Sequence, residues 1–260
     1  MTGLYYLKYK IKPFMKILVC ISKTPETTAK ITFTDNNTKF NTDGVQYIMN
    51  PYDEWYALVR AVELIENHGG TVTAINVGPP INDVIIRKAL AIGADDAVRI
   101  NGEPGSAINT AFQIAQYAKN ENFNLILLGK ETIDYNGSEV GSMLAEYLDV
   151  PFISFASKLE FADGISTIAR DIEGGIEIVK INGPCVVSAA KGLAEQRIPN
   201  MRGIMMAKRK PLIVLEMEEF TEKVAVSSFQ LPKEKGGVKL IDPENMDELV
   251  RLLREEAKVI

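Results

Sequence analysis

From Lys16 the run KILVCIS is apolar almost throughout and stops at Lys23-Thr24-Pro25. It predicts a strand covered on both faces, because a strand with one wet face would alternate. Residues 30–34 and 38–41 flank Asp35-Asn36-Asn37, whose short polar side chains suit a turn, and predict a small β-excursion. A helix is expected to open at Asn50-Pro51 and run to about Glu66. Trp55, Leu58, Val59, Val62 and Leu64-Ile65 recur in it at helical spacing, and His68-Gly69-Gly70 closes it. Strand and helix signals then alternate: strand 71–77, helix 81–92, strand 97–100, helix 107–119, strand 125–128, helix 139–148, strand 152–154. Such alternation predicts an α/β chain whose mostly parallel sheet carries helices on both faces.

The next third changes character. Residues 158–161, 166–171, 175–181 and 185–189 are β-rich runs separated by turn residues, and they predict an antiparallel extension of the same sheet or of an adjacent one. Residues 201–208 read as a helix packed by Ile204 and Met205. From Phe220 the chain turns polar, with Pro232 and Gly236-Gly237, and a helix signature returns only after Asp242. The organisation expected is an N-terminal extension at 1–14, an α/β domain at 15–220 and a C-terminal arm at 221–260.

Composition narrows the chemistry. Lys and Arg number 29 against 34 Asp and Glu, a formal charge of −5 without a basic stripe, so nucleic acid is not an expected partner. No apolar stretch reaches the roughly 20 residues that span a bilayer, so no membrane insertion is expected. The first 14 residues carry no Arg, no Ser and no apolar core, unlike a secretory signal or a mitochondrial presequence. With a single histidine, His68, placed at a helix end, histidine-based triads and multi-histidine metal sites are hard to build. Cys20 and Cys185 lie inside apolar runs and lack ligand spacing, so neither a metal nor a disulfide is expected.

The most informative loop leaves the strand at 125–128. It runs through Gly129, Lys130, Glu131, Thr132, Ile133, Asp134, Tyr135, Asn136, Gly137, Ser138, Glu139, Val140, Gly141 and Ser142 into a helix. Ligands of open parallel sheets bind beyond the strands' carboxyl ends, and a helix start offers free N–H groups to a phosphate. Gly137, Ser138, Gly141 and Ser142 would leave the backbone accessible and add hydroxyls, while Glu131 and Asp134 suit ribose hydroxyls. The loop is neither GxxxxGK[ST] nor GxGxxG, and an ordinary strand-to-helix connection is the plainer alternative. Cys20 and Asn50-Pro51-Tyr52-Asp53 approach the same sheet end and would frame an adenosine. A second constellation, residues 191–211, combines Leu193, Glu195 and Arg197 with a Met-rich helix, residue types that favour an interface, and Leu193 reads as exposed.

In order, KILVCISKTP, DGVQYIMNPYDEWYAL, NVGPP, IRKALAIGADDAV, LLGKETIDYNGSEVGSMLAEYL, KGLAEQRIPNMRGIMMAKRKP and REEAKVI resemble electron-transfer flavoprotein β subunits over about residues 15–260. Ala194 and Gln196 depart from the family's L-N-E-P-R block. The resemblance implies an adenine-nucleotide-hydrolase-like, Rossmann-like sheet and a heterodimer with an α subunit that carries the redox FAD. It implies an electron carrier without substrate chemistry of its own, fed by acyl-CoA or related dehydrogenases and emptied by a quinone-linked oxidoreductase, as in fatty acid oxidation. A bacterial cytoplasm is expected, with the mitochondrial matrix as the alternative. Nucleotide contacts carry over to Cys20, Asn50, Pro51, Tyr52, Asp53, Val77 and the loop from Glu131 to Ser142, with Tyr52 close to the flavin. Partner docking carries over to Leu193, with Glu195 and Arg197 on the same loop. The resemblance leaves AMP or a second FAD for the β site, since IDYNGSEVGS matches both family loop patterns in part. A stand-alone adenine-nucleotide enzyme or stress-type protein is the remaining alternative, although Ser22-Lys23-Thr24-Pro25 lacks the glycines a pyrophosphatase loop needs.

Overall fold

Residues 14–233 and 236–260 are described by a computed structural model. The extension expected at 1–14 therefore lies outside the described residues except for Phe14. The first strand, β1 (Met15–Cys20), is followed by β2 (Lys23–Pro25), the hairpin β3 (Phe33–Thr34) and β4 (Lys39–Phe40), β5 (Tyr47–Met49) and α1 (Asp53–His68). Then come β6 (Gly70–Val77), a 3-10 turn Pro80–Asn82, α2 (Asp83–Ile92), β7 (Asp96–Asn101), α3 (Ala107–Ala118), β8 (Leu125–Gly129) and α4 (Val140–Leu148). The remainder holds β9 (Phe152–Ala162), β10 (Ile165–Ile172), β11 (Gly175–Asn182), β12 (Cys185–Ala189), α5 (Met201–Ala207), β13 (Leu212–Glu216), α6 (Met246–Arg251) and a π-helical turn Leu252–Ala257.

One nine-stranded sheet in the order β11-β10-β9-β12-β8-β1-β6-β7-β13 organises most of the chain. Its centre is parallel, and β1 is buried on both faces as expected. Ile17 and Val19 join a cluster with α1 and α2, and Leu18 and Cys20 join one with α3 and α4. Strand order reverses between β1, whose chain continues to β6 and β7, and β8, which lies on its other side. That reversal opens a crevice beyond the carboxyl ends of β1 and β8, the place where open α/β sheets receive ligands.

Several elements differ from the sequence reading. The runs 152–154 and 158–161 form one strand, β9, kept together by bulges against both neighbours, with Phe155 at φ 58. Only β10 and β11 extend the sheet antiparallel; β12 is a parallel strand inserted between β8 and β9. The edge strand β13, which pairs parallel with β7, carries little periodic signal because Ile213, Val214 and Leu215 are all exposed. The small sheet of β2 and β5 also escaped the sequence pattern. Helix α1 starts at Asp53, so Pro51 precedes the helix and does not occupy its first turn.

Contacts divide the described chain into two units: residues up to Thr32 with Asn41–Val226, and Phe33–Phe40 with Ser227–Ile260. The second unit contains the β3–β4 hairpin, whose turn residues Asp35, Asn36 and Asn37 all take positive φ. In it the Phe33 ring stacks on Phe229 at 4.9 Å, and Arg251 pairs with Glu248 and Glu255 along α6.

Candidate functional site

Asn50 organises the crevice at the strand reversal. Fully buried ahead of α1, its amide Nδ2 donates to the Glu131 carbonyl at 3.0 Å and its Oδ1 accepts from the Ile133 N–H at 3.0 Å. The pair reproduces a strand-like exchange of hydrogen bonds and pins the loop after β8. Its own N–H donates to the Ser22 carbonyl at 2.9 Å, so the exit of β1 is tied into the same unit.

Glu54, in the first turn of α1, completes the connection. Its Oε2 accepts from the Ser22 N–H at 2.7 Å, and its Oε1 shares a short hydrogen bond with the Ser22 hydroxyl. Burial pushes its carboxyl up to about 8; Asp134 adds to this, and the bonds from Ser22 and Asn50 offset only part of it. A Cβ on Gly129 would sit 2.8 Å from Glu54 Cγ and 3.0 Å from its backbone nitrogen, so β8 can end this close to α1 only with glycine.

On the α1 side a cleft of about 360 Å³ is lined by Pro51, Tyr52, Asp53, Tyr56, Lys130 and Lys191, with Glu131 and Ile133 in its wall. Its size lies in the range of small-ligand clefts. Two tyrosines offer aromatic surface, two lysines offer positive charge and two carboxylates can take ribose or ring N–H donors. Tyr52 stands out: it is 58% exposed and held at φ 64, ψ −96, a strained conformation of the kind that collects at ligand sites. Lys130 lies 3.3 Å from Glu131, with its ammonium 6.0 Å from the Phe155 ring centroid.

The other nucleotide candidates divide between that cleft and the α4 side. Cys20 is buried in the α3–α4 core and its thiol is pushed well up by burial and then by Glu54, so it packs and does not react. Val77, half-buried at the end of β6, packs on the same cluster. Thr132 accepts the Asn136 N–H through its carbonyl at 2.9 Å, and Asp134 accepts the N–H of exposed Tyr135 at 3.0 Å. Asn136 and Ser138 take positive φ on either side of Gly137, bending the loop towards α4. Glu139 precedes α4 without a side-chain cap, which leaves the first-turn N–H groups starting at Val140 for an anion.

Three readings of this loop change. Gly141 does not keep backbone open; it is buried, and an added Cβ would meet the Phe152 ring at 2.7 Å. The hydroxyls of Ser138 and Ser142 donate internally, to Glu131 at 3.2 Å and to the Glu139 carbonyl at 2.9 Å. Those two hydroxyls are thus engaged within the loop, which leaves its backbone N–H groups as candidate phosphate donors.

Leu193 is not exposed: it is 4% accessible and belongs to the core cluster on the α1 face. Arg197 holds Glu66 through two bonds of 2.8 and 3.0 Å, while its carbonyl accepts from Trp55 Nε1 at 3.1 Å. These contacts fasten the loop to α1. What projects is Glu195, Ile198 at 81% exposure and Met201 at 73%. Sequence reasoning missed Glu54, Tyr56, Lys130 and Lys191; the signal available for the first two was their place on the first turns of a helix aimed at a strand end.

The electron transfer flavoprotein domain family matches residues 37–219. The chain belongs to the electron transfer flavoprotein family, β-subunit type. An electron transfer flavoprotein subunit beta from Bacillus subtilis is 40% identical over 260 residues, covering 95% of this chain and 100% of the relative. The human subunit beta is 32% identical over 256 residues, covering 94% and 99% respectively. A third, from Syntrophomonas wolfei, is 32% identical over 231 residues, covering 88% and 90%. The α/β fold with its mostly parallel sheet is consistent with that family, and among the described residues no helix is long and apolar enough to cross a membrane.

Proposed function

We propose that this chain is the β half of a heterodimeric electron carrier. It contributes the Tyr52 cleft to an FAD held mainly by an α subunit and keeps an AMP at its own strand-end crevice. The observation that carries the reading is the Asn50 amide, which joins the exit of β1 to the loop after β8 and so frames the crevice with the α4 N-terminus on its rim. Bound FAD would supply the redox chemistry. Tyr52 and Tyr56 would border its ring, Lys130 and Lys191 would favour negative charge there, and the α4 amides would take the AMP phosphate.

Electrons would come from dehydrogenases, acyl-CoA dehydrogenases among them, and leave to a quinone-linked oxidoreductase. Docking would use the projecting residues Glu195, Ile198 and Met201, held in place by Leu193 and Arg197. A bacterial cytoplasm is the setting proposed, in keeping with the relative from Bacillus subtilis. The test is to co-purify the chain with its α subunit, denature the complex and quantify nucleotides. One FAD and one AMP for each heterodimer are expected. Two FAD and no AMP would make it a bifurcating carrier with its own flavin, and no nucleotide at all would overturn the site.

A further inference from the structure

We propose that Glu54 is a positioning residue, a buried latch that holds the exit of β1 and the loop after β8 in the conformation that receives the nucleotide. Whether a nucleotide enters that crevice rests on the function proposed above; the latch itself rests on geometry. Glu54 is 5% exposed and touches all three elements at the strand reversal. It bonds Ser22, two residues past β1, through both carboxyl oxygens, it lies in the first turn of α1 close to Asn50, and its Cγ fills the space that a Cβ on Gly129 of β8 would need. Asn50, held against it, carries the connection to Glu131 and Ile133.

The charged surroundings decide which form of the carboxyl the latch uses. The titratable groups facing it are Cys20 from β1 and Asp134 from the loop, and Asp134 opposes its ionisation. On its own helix Asp53 is also raised, chiefly by burial, with Lys130 opposing and Glu131 adding to the shift. Desolvation is the largest influence on Glu54 and pushes its carboxyl up to about 8. In the protonated state the group can donate as well as accept, which suits a partner, Ser22, that offers one N–H and one hydroxyl. Ionisation favours any opening that brings the carboxylate to water, so the latch loosens as pH rises.

Hydrogen–deuterium exchange on the chain co-purified with its α subunit tests this. Opening that exposes Glu54 changes its carboxyl from about 8 to the ordinary 4.5. The protection of residues 130–138, corrected for the intrinsic rate, should then fall about tenfold for each pH unit inside that window and level off above it. Glu54→Gln keeps the shape and both kinds of hydrogen bond without the titration, and should give a flat profile at near wild-type protection. Glu54→Leu, shown to be folded by its thermal transition, should lose protection at every pH. Identical pH profiles in wild type and Glu54→Gln would overturn the latch. Nucleotide content measured on the same samples separates the two ideas. Wild-type protein that binds no AMP or FAD removes the nucleotide reading, while the exchange profile still decides the role of Glu54.

Discussion

Replacing Leu193 by alanine distinguishes a core residue from a docking anchor. Leu193 is 4% accessible and shares its cluster with Trp55, Ala156 and Leu159. Truncation removes the branched carbons beyond Cβ, worth about 2.4 kcal/mol at about 0.8 kcal/mol for each buried methylene-sized group. A cavity term adds to this, but the residue sits in a loop that can settle inward, which places the total near the lower part of the Leu→Ala range, about 2–3 kcal/mol. For a chain of this length that corresponds to a fall in Tm of about 4–12 °C. Thermal and urea unfolding of the purified protein followed by circular dichroism would measure it, with Ile198→Ala as the surface control, expected within about 0.5 kcal/mol of wild type. Dehydrogenase-to-flavin electron transfer measured well below Tm should respond more to Ile198→Ala than to Leu193→Ala. An unchanged Tm in Leu193→Ala together with slowed electron transfer would refute the burial argument.

Glu54 also makes global stability depend on pH. The folded chain retains a proton on it up to about 8 whereas an ordinary carboxyl releases it near 4.5, so the stabilising contribution is complete below 4.5 and is lost as pH rises to 8. At about 1.4 kcal/mol for each pKa unit the loss is at most about 5 kcal/mol, and urea midpoints compared at pH 6 and 8 should show a decline in wild type that Glu54→Gln lacks; parallel behaviour would contradict it. Gly129→Ala should cost about 1–3 kcal/mol because its Cβ would crowd Glu54 Cγ at 2.8 Å, and an unaltered Tm would mean that the strand end relaxes freely. Glu222 accepts bonds from Gly105 N, Ser106 Oγ and Asn109 Nδ2 at 2.8, 2.5 and 2.6 Å, and these hydrogen bonds lower its pKa. Glu222→Ala should speed limited proteolysis within residues 217–226, and in wild type the protection should weaken as pH falls through the carboxylate range; equal cleavage rates in mutant and wild type would count against that strap.

What the sequence determined by itself was the alternation of strands and helices and the strand end from which the long polar loop departs. KILVC and LILL are short and apolar without alternation, a pattern that only double-sided burial requires, and the polar loop after Leu128 could only lie at a strand's exit. The order of motifs was legible for the same reason: it follows the chain. Tertiary structure decided whatever depends on partners distant in sequence. Phe152 to Ala162 runs as one strand because bulges absorb Phe155 and the neighbours β10 and β12 hold both sides, and nothing local to Phe155 announces this. Strand β13 forms because β7 offers an open edge. Leu193 is drawn into the core by a loop that Arg197 fastens to Glu66, 131 positions away. Glu54 looked like one more acid in a helix's first turn, where acids are common. Only the approach of Ser22 and Gly129 removes its water and makes it a proton-bearing joint between three elements.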